Sequence, residues 1–514
     1  MAIFGLTGET LAIVRIFLVV VPAFWLFGYN QSNLGGVLAY PSFTKYFPEI
    51  DSTNTEGAQE AQNAKLEGTV VAVYTLGCLI GALGIAPIGN HLGRRKSLMV
   101  AAVVASIGLI LQASAHSLAQ LVVGRIISGV GNGGVNSVVP VWQSECTKPK
   151  NRGKNVVVVG IFITSGIALG GWVNVGLSHV QEQEIAWRLP LALPLIFTSM
   201  LLAFTLCFPE SPRWLISKGR IEEARQSMSE LNSGKHAEPE SIDAEISLVL
   251  SVVQQDSAQS ELGFRDFFKR GPQRLFYRLC LAIAVNFCAQ MTGANVISYY
   301  GTRIFKQSLH MPASKAALLN AGVLTWKIVA ATSAFLTVDR LGRKPLFMIA
   351  CGGMSLSMAG LAGTAWAIDN AHKFGASVGA TFFLFLYMAF FPLGFVGANF
   401  LYSAEIAPQG LRIHLASVGT ATHWLFNFVI AEITPVAFVT ITWRYYIVYA
   451  VIGAFSVPLV YFLFPETKGL SLEDMDRLFS DPAHFWEVPS YARKLKSSSA
   501  AQIENEGKVV ETVE

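Results

Sequence analysis

Twelve stretches of this chain run for about twenty residues with little or no charge, the length a helix needs to cross a hydrocarbon core. They lie near 16–38, 68–90, 97–115, 119–142, 155–176, 189–208, 279–300, 316–338, 345–368, 375–403, 413–438 and 445–464. An even count puts both termini on one side of a bilayer. The composition agrees: 52% of the 514 residues are hydrophobic and 14% charged, where soluble domains carry roughly a quarter charged. That excludes a water-soluble enzyme, and no enzymatic activity is expected. A net charge of +4 over this length offers no basic face for nucleic acid. The first apolar stretch continues uncharged from Ile16 to Thr44 without a small-residue cleavage pattern, so it reads as a retained helix.

Orientation follows from the basic residues. With both termini inside, cytoplasmic segments collect 28 of the 38 Lys and Arg, while Arg125 and Lys327 fall within spans. A multi-pass protein with cytoplasmic termini, at the plasma membrane, is the expectation. The segment Ser211–Arg274 holds nine basic and ten acidic residues and divides the spans six and six. The organisation expected is an N-terminal tail (1–15), a first bundle (16–208), a cytoplasmic helical linker (209–274), a second bundle (275–464) and a C-terminal tail (465–514). The six cysteines form no C-x-x-C pair, so neither metal nor disulfide framework is read, and no cofactor is expected.

The halves carry matching punctuation. Gly93-Arg94-Arg95-Lys96 corresponds to Gly342-Arg343-Lys344. Glu145 precedes Arg152 by seven residues, as Glu405 precedes Arg412. Pro209-Glu210-Ser211 corresponds to Pro465-Glu466-Thr467. Paired halves of this kind mark carriers that rock two bundles about a central site.

Further strings narrow the class: Gly124-Arg125 with the Gly129/Gly131/Gly133 run, PESPRWL at 209–215, Gln290-x-x-Gly293-x-Asn295, Asp339-Arg340-x-Gly342-Arg343-Lys344 and PETKG at 465–469. Together they resemble the sugar porter family of the major facilitator superfamily, over about Tyr29 to Leu472, with a fungal style in GYNQSNLGG. The resemblance implies an all-α membrane protein of twelve transmembrane helices in two six-helix bundles, the major facilitator fold.

At the cytoplasmic mouth, Arg94, Arg95, Arg340, Arg343 and Lys344 stand opposite Glu145, Glu210, Glu405 and Glu466, with Arg152, Asp339 and Arg412 nearby. Charge-assisted pairs across the bundle interface would form an inward gate, closed when they form. Lys327 lies twelve residues before Asp339 and His423 eleven after Arg412, depths of about 18 and 16 Å at the helical rise, near the bilayer midplane. Gln290 and Asn295, five apart in one span, are expected at different heights and angles. Their amides suit a ligand bearing many hydroxyls, and Phe400 and Trp424 offer faces for its ring. The resemblance assigns substrate contact to Gln290, Asn295, Trp424 and the position of Phe400.

Several positions depart from the family pattern. Gly160 and Ala289 replace glutamines, Lys327 and His423 replace amides, and Phe400 replaces a tryptophan. Asn30 stands where proton-coupled members carry an acid, and Asn90 replaces the acid ahead of Gly93. Lys327 and His423 add donors and positive charge, Glu432 is a candidate partner for either, and Arg125 lacks its usual acidic neighbour. The function expected is alternating-access transport of a sugar or sugar-like polyhydroxylated solute, facilitative or coupled to protons, by a monomer in the lipid bilayer. A sugar-acid or quinate-type carrier, a non-transporting sugar sensor and an exporter of amphipathic compounds are the rivals.

Overall fold

Apolar runs of this length satisfy their backbone groups in lipid by coiling into helices, and the computed structural model is built of helices accordingly. It describes residues 6–146, 152–232, 239–259, 264–269, 271–371, 375–408, 411–470 and 472–495. Six long helices form the first half: α1 Gly8–Val37, α2 Gly57–Leu92, α3 Arg94–Ala113, α4 Leu118–Glu145, α5 Arg152–Leu177 and α6 Ile185–Cys207. Six form the second: α7 Leu275–Ser308, α8 Ala313–Leu341, α9 Arg343–Asp369, α10 Ala376–Glu405, α11 Arg412–Thr440 and α12 Arg444–Leu463. Among the described residues, eleven of the twelve are long and apolar enough to cross a membrane. The other, α4, has 28 residues and is diluted by Arg125, Asn132 and its glycines.

Those glycines set helix spacing. A Cβ on Gly129 or Gly133 would meet the carbonyls of Tyr74 or Cys78 on α2 at 2.3 or 2.1 Å, and one on Gly131 would meet Ala105 N on α3 at 2.2 Å. One helix is thereby clasped by two neighbours, the close approach that small residues permit in membranes.

The packing repeats between halves: α2 against α4 and α1 against α5 in the first, α8 against α10 and α7 against α11 in the second. The main seams between halves, α2–α11 and α5–α8, are related by the same repeat. In the linker, Pro212–Ser217 and Ile221–Leu231 pack together, and the latter lies on Gly8–Arg15. Ser227 Oγ donates to Glu210 O at 2.6 Å. Beyond α12, helix Leu472–Ser480 joins α7 through Arg278 Nη2 to Asp476 Oδ1 at 2.9 Å.

The seams are zipped on the side away from the termini. A Cβ on Gly35 of α1 would lie 1.7 Å from Tyr299 O on α7, and one on Gly68 of α2 2.3 Å from Glu432 O on α11. Thr69 Oγ1 donates to Glu432 Oε1 at 2.8 Å across the same seam. Glu432 therefore meets the first half here, while His423 bonds Gln290 and Lys327 bonds Ser298.

Candidate functional site

Two helices of the second half are broken at mid-depth. Gly293, at φ 98°, interrupts α7 between Met291 and Ala294, and Gly397, at φ 92°, interrupts α10 between Phe395 and Ala398. Positive φ is open to glycine without the steric cost a Cβ brings. Broken helices near the midplane are the usual scaffold of a carrier's binding site.

The break in α7 overturns one expectation. Gln290 and Asn295 do not point apart: Asn295 Nδ2 donates to Gln290 Oε1 at 2.5 Å. That contact fixes the amide's orientation, so Gln290 Nε2 faces His423 of α11 and lies 2.9 Å from either ring nitrogen. An amide N–H donates only to an unprotonated ring nitrogen, so in this arrangement His423 is the acceptor. Phe400, in the short helix after the α10 break, lies 5.0 Å from the His423 ring centroid and is 40% exposed. Trp424 is 1% exposed and meets Phe27 of the first half edge-on at 5.5 Å.

Lys327, on α8, is 3% exposed. Its Nζ donates to Ser298 Oγ at 3.3 Å and lies 5.1 Å from the Phe391 ring centroid. Among the described residues no carboxylate is paired with it. The cluster thus joins Gln290, Asn295, His423, Phe400 and Trp424, with Lys327 reaching Ser298 one turn beyond Asn295.

Two expected members stand apart, and a third position departs from the family pattern. Asn30 Nδ2 donates to Leu26 O at 2.9 Å in its own helix. Arg125 is turned onto α2: its Nε and Nη2 donate to Val70 O and Val71 O at 2.6 and 3.2 Å, and its guanidinium lies 5.2 Å from the Tyr74 ring. Gly160 does more than lack an amide. A Cβ there would lie 2.5 Å from Val396 Cγ1, so the residue at the α10 break fills the space a glutamine would need.

In this structure, closed on its far side, the charges at the mouth pair within each half. Arg94 grips Glu145 through two bonds, at 2.8 and 2.7 Å, and Arg343 Nη2 donates to Glu405 Oε1 at 2.8 Å. Each pair lies within one half, α3 to α4 or α9 to α10, and neither crosses the interface. Glu210 accepts the backbone N–H of Arg94 at 3.0 Å and Arg95 at 3.2 Å, and Glu466 those of Arg343 at 3.0 Å and Lys344 at 3.1 Å. These carboxylates sit at the N-termini of α3 and α9, where free amides and the helix dipole favour negative charge. Gly93 and Gly342, at φ 86° and 95°, are required there: a Cβ on either would lie 2.6 Å from the capping carboxylate. Arg95 Nη2 donates to Leu206 O, and Lys344 Nζ to Tyr461 O at 2.6 Å. The side chains of Arg152, Asp339 and Arg412 lie outside the described residues.

Because the two pairs lie in different halves, the effects of Glu145→Gln and Arg343→Ala should add. In thermal unfolding in detergent, the double variant should lose the sum of the single losses within about 0.5 kcal/mol. A loss far beyond that sum would restore the cross-interface latch.

Sequence reasoning missed one ion pair between the halves. Arg303 of α7 bonds Glu67 of α2, its Nη1 at 2.6 Å from both carboxylate oxygens. The signal was a lone acid just before one apolar run and a lone base just after another, and each reads alone as a helix-end charge.

The comparisons with known proteins agree with this architecture. The profile of the family described as sugar (and other) transporter matches residues 16–479. The chain is 36% identical to the MFS-type transporter oryC of Aspergillus oryzae, over 93% of this chain and 88% of that one. It is 30% identical to the sugar transporter STL1 of Saccharomyces cerevisiae, over 96% and 86%. It is also 30% identical to a probable quinate permease of Aspergillus niger, over 88% and 85%. The inward-open xylose transporter XylE from E. coli superposes with a TM-score of 0.71 at 22% identity, over 91% of this chain and 100% of that one. With a family profile spanning nearly all of the helical chain and a twelve-helix fold to match, this multi-pass membrane protein belongs to the sugar transporter family of the major facilitator superfamily.

Proposed function

We propose that the chain is a secondary carrier moving a sugar or sugar-like polyhydroxylated solute by alternating access. Both termini would be cytoplasmic, and the protein would work as a monomer in the plasma membrane. The observation that carries this is the Gln290–Asn295–His423 cluster, a set of paired donors and acceptors between the broken α7 and the continuous α11, with Phe400 of the broken α10 and Trp424 beside it. Neutral hydroxyls need partners of both kinds, and an aromatic wall suits the apolar face of a ring. Relatives named for sugar transport, such as STL1, support the same class. Asn30 has no proton to exchange, which favours facilitated movement over the coupling named for the proton:xylose symporter XylE.

A second reading, a carboxylate-bearing solute, is favoured by Lys327. A buried cation without a counter-ion is costly in a membrane and marks a functional site; a ligand carboxylate would relieve that cost. The quinate permeases among the relatives fit this reading.

Radiolabelled uptake in carrier-deficient yeast decides, with neutral sugars and polyols set against sugar acids. The neutral reading expects uptake of a neutral solute that a protonophore leaves unchanged and that Lys327→Asn alters less than about tenfold, since one neutral hydrogen bond is worth about 1 kcal/mol. The acid reading expects acid uptake that Lys327→Asn abolishes. No uptake of any solute by protein present at the surface would refute transport.

A further inference from the structure

The far-side seam closes over a charge pair that belongs to neither the substrate cluster nor the terminal-side network. Glu67 and Arg303 are 3% and 8% exposed, and they come from different halves. Each is held by its own side. Ser52, in the loop between α1 and α2, donates to Glu67 Oε2. Gln307 Oε1 accepts from Arg303 Nε. Arg303 directly precedes the π-helical turn Ile304–Ser308 that ends α7, a local widening often found at functional positions. Lys306 Nζ, on the same turn, donates to Ala39 O, just past the end of α1, at 3.5 Å.

From this geometry we infer that Glu67 and Arg303 form the outer gate of the carrier: an electrostatic latch that holds the far side shut and must break for the solute to enter. The inference rests on the alternating-access reading and on the far side facing outward. A buried pair of this kind contributes little net stability, because desolvating two charges offsets most of their attraction. That suits a latch. Opening the seam returns both charges to water, so closed and open states stay close in free energy. Removing one partner is different, since the closed state must then bury the survivor unpaired while the open state can hydrate it. Either single neutral change therefore drives the carrier toward its outward-open form, and neutralising both relieves the conflict. Among the pairs described, this one lies on the seam itself, whereas Arg94–Glu145 and Arg343–Glu405 move with their own halves.

The test reads conformation and needs no solute. Thr69→Cys, at the seam beside Glu67, serves as reporter in the full-length protein in intact yeast. A membrane-impermeant maleimide is added outside, and cells without the added cysteine supply the background. Glu67→Gln and Arg303→Gln should each raise the initial labelling rate of the reporter about tenfold or more, as an unpaired buried charge favours opening. The double neutral variant should label within about threefold of the reporter alone, a coupling that distant, independent sites lack. Single variants that label at the reporter's rate, or a double variant that labels as fast as the product of the two single effects, would overturn the latch. Should a single variant fail to reach the surface, the reversed pair Glu67→Arg with Arg303→Glu carries the test. Labelling near the reporter's rate supports the latch, and labelling tenfold above it overturns it. The same series on inverted membrane vesicles separates an error of orientation: a variant-dependent rise seen only from that face keeps the latch and rejects the outward assignment of the far side.

Discussion

Gly35→Val is expected to abolish transport while leaving the protein folded and at the cell surface. The Cβ it adds would lie 1.7 Å from the carbonyl oxygen of Tyr299, a backbone atom of the opposite half that no rotamer change can move aside. The far side could then close only by forcing α1 and α7 apart. Overpacking a well-fitted contact typically costs about 1–3 kcal/mol, occasionally more, and about 3 kcal/mol spread on one side of a conformational equilibrium is roughly a hundredfold in population. The open form does not pay this penalty, so the variant should accumulate facing outward and uptake should fall by about two orders of magnitude or more. Gly68→Leu repeats the experiment on the other seam, where the obstacle is Glu432 O at 2.3 Å. Gly84→Val is the control, since a Cβ there meets nothing within 4 Å. Initial rates of solute uptake, normalised to surface protein, give the answer; near-normal uptake by Gly35→Val would mean that the zipped far side is no part of the working cycle.

Gln290→Leu should be nearly as damaging, for a chemical reason. Leucine fills much the same volume but cannot bridge Asn295 and His423, which the amide joins through its two ends. Each partner left buried and unsatisfied costs about 1–3 kcal/mol, and a ligand hydroxyl bound by the amide would lose its bond as well. Uptake at limiting solute should drop by roughly a hundredfold, at about 1.4 kcal/mol per factor of ten. His423→Asn, which restores the amide that the sugar porter pattern implies at this position, should stay within about tenfold of the parent because an amide can still accept from Gln290. Uptake within threefold of the parent for Gln290→Leu would remove the cluster from the binding site.

The helices were legible because lipid leaves an apolar run little choice of backbone structure. The terminal-side motifs were legible as well, since glycine, arginine and glutamate recur in register in both halves. What each glutamate does was not. Glu210 and Glu145 differ by position in the fold, one capping a helix start and the other meeting a guanidinium. Charge pattern alone cannot distinguish a pair within a bundle from one between bundles. Gln290 and Asn295 read as divergent because helical spacing was assumed to continue through Gly293, and one glycine at φ 98° brought them together. The surroundings of Arg125 and Gly160 gave no signal for a shared reason: their partners, the Val70 and Val71 carbonyls and the Val396 side chain, are ordinary residues with no motif to announce them.

The glutamate caps have a consequence for how the two halves relate. Glu210 leads from α6 into the linker and is fastened to the start of α3. Glu466 leads from α12 into the tail and is fastened to the start of α9. Each half thus carries its own collar on the side of the termini, and a binding partner that grips one collar takes hold of one half alone. The helical segment 209–274 that joins the halves then supplies proximity, holding them at a high local concentration without fixing their mutual angle. In such an arrangement the linker keeps two rotors on a common axle, and the rhythm of their turning is set where their surfaces meet.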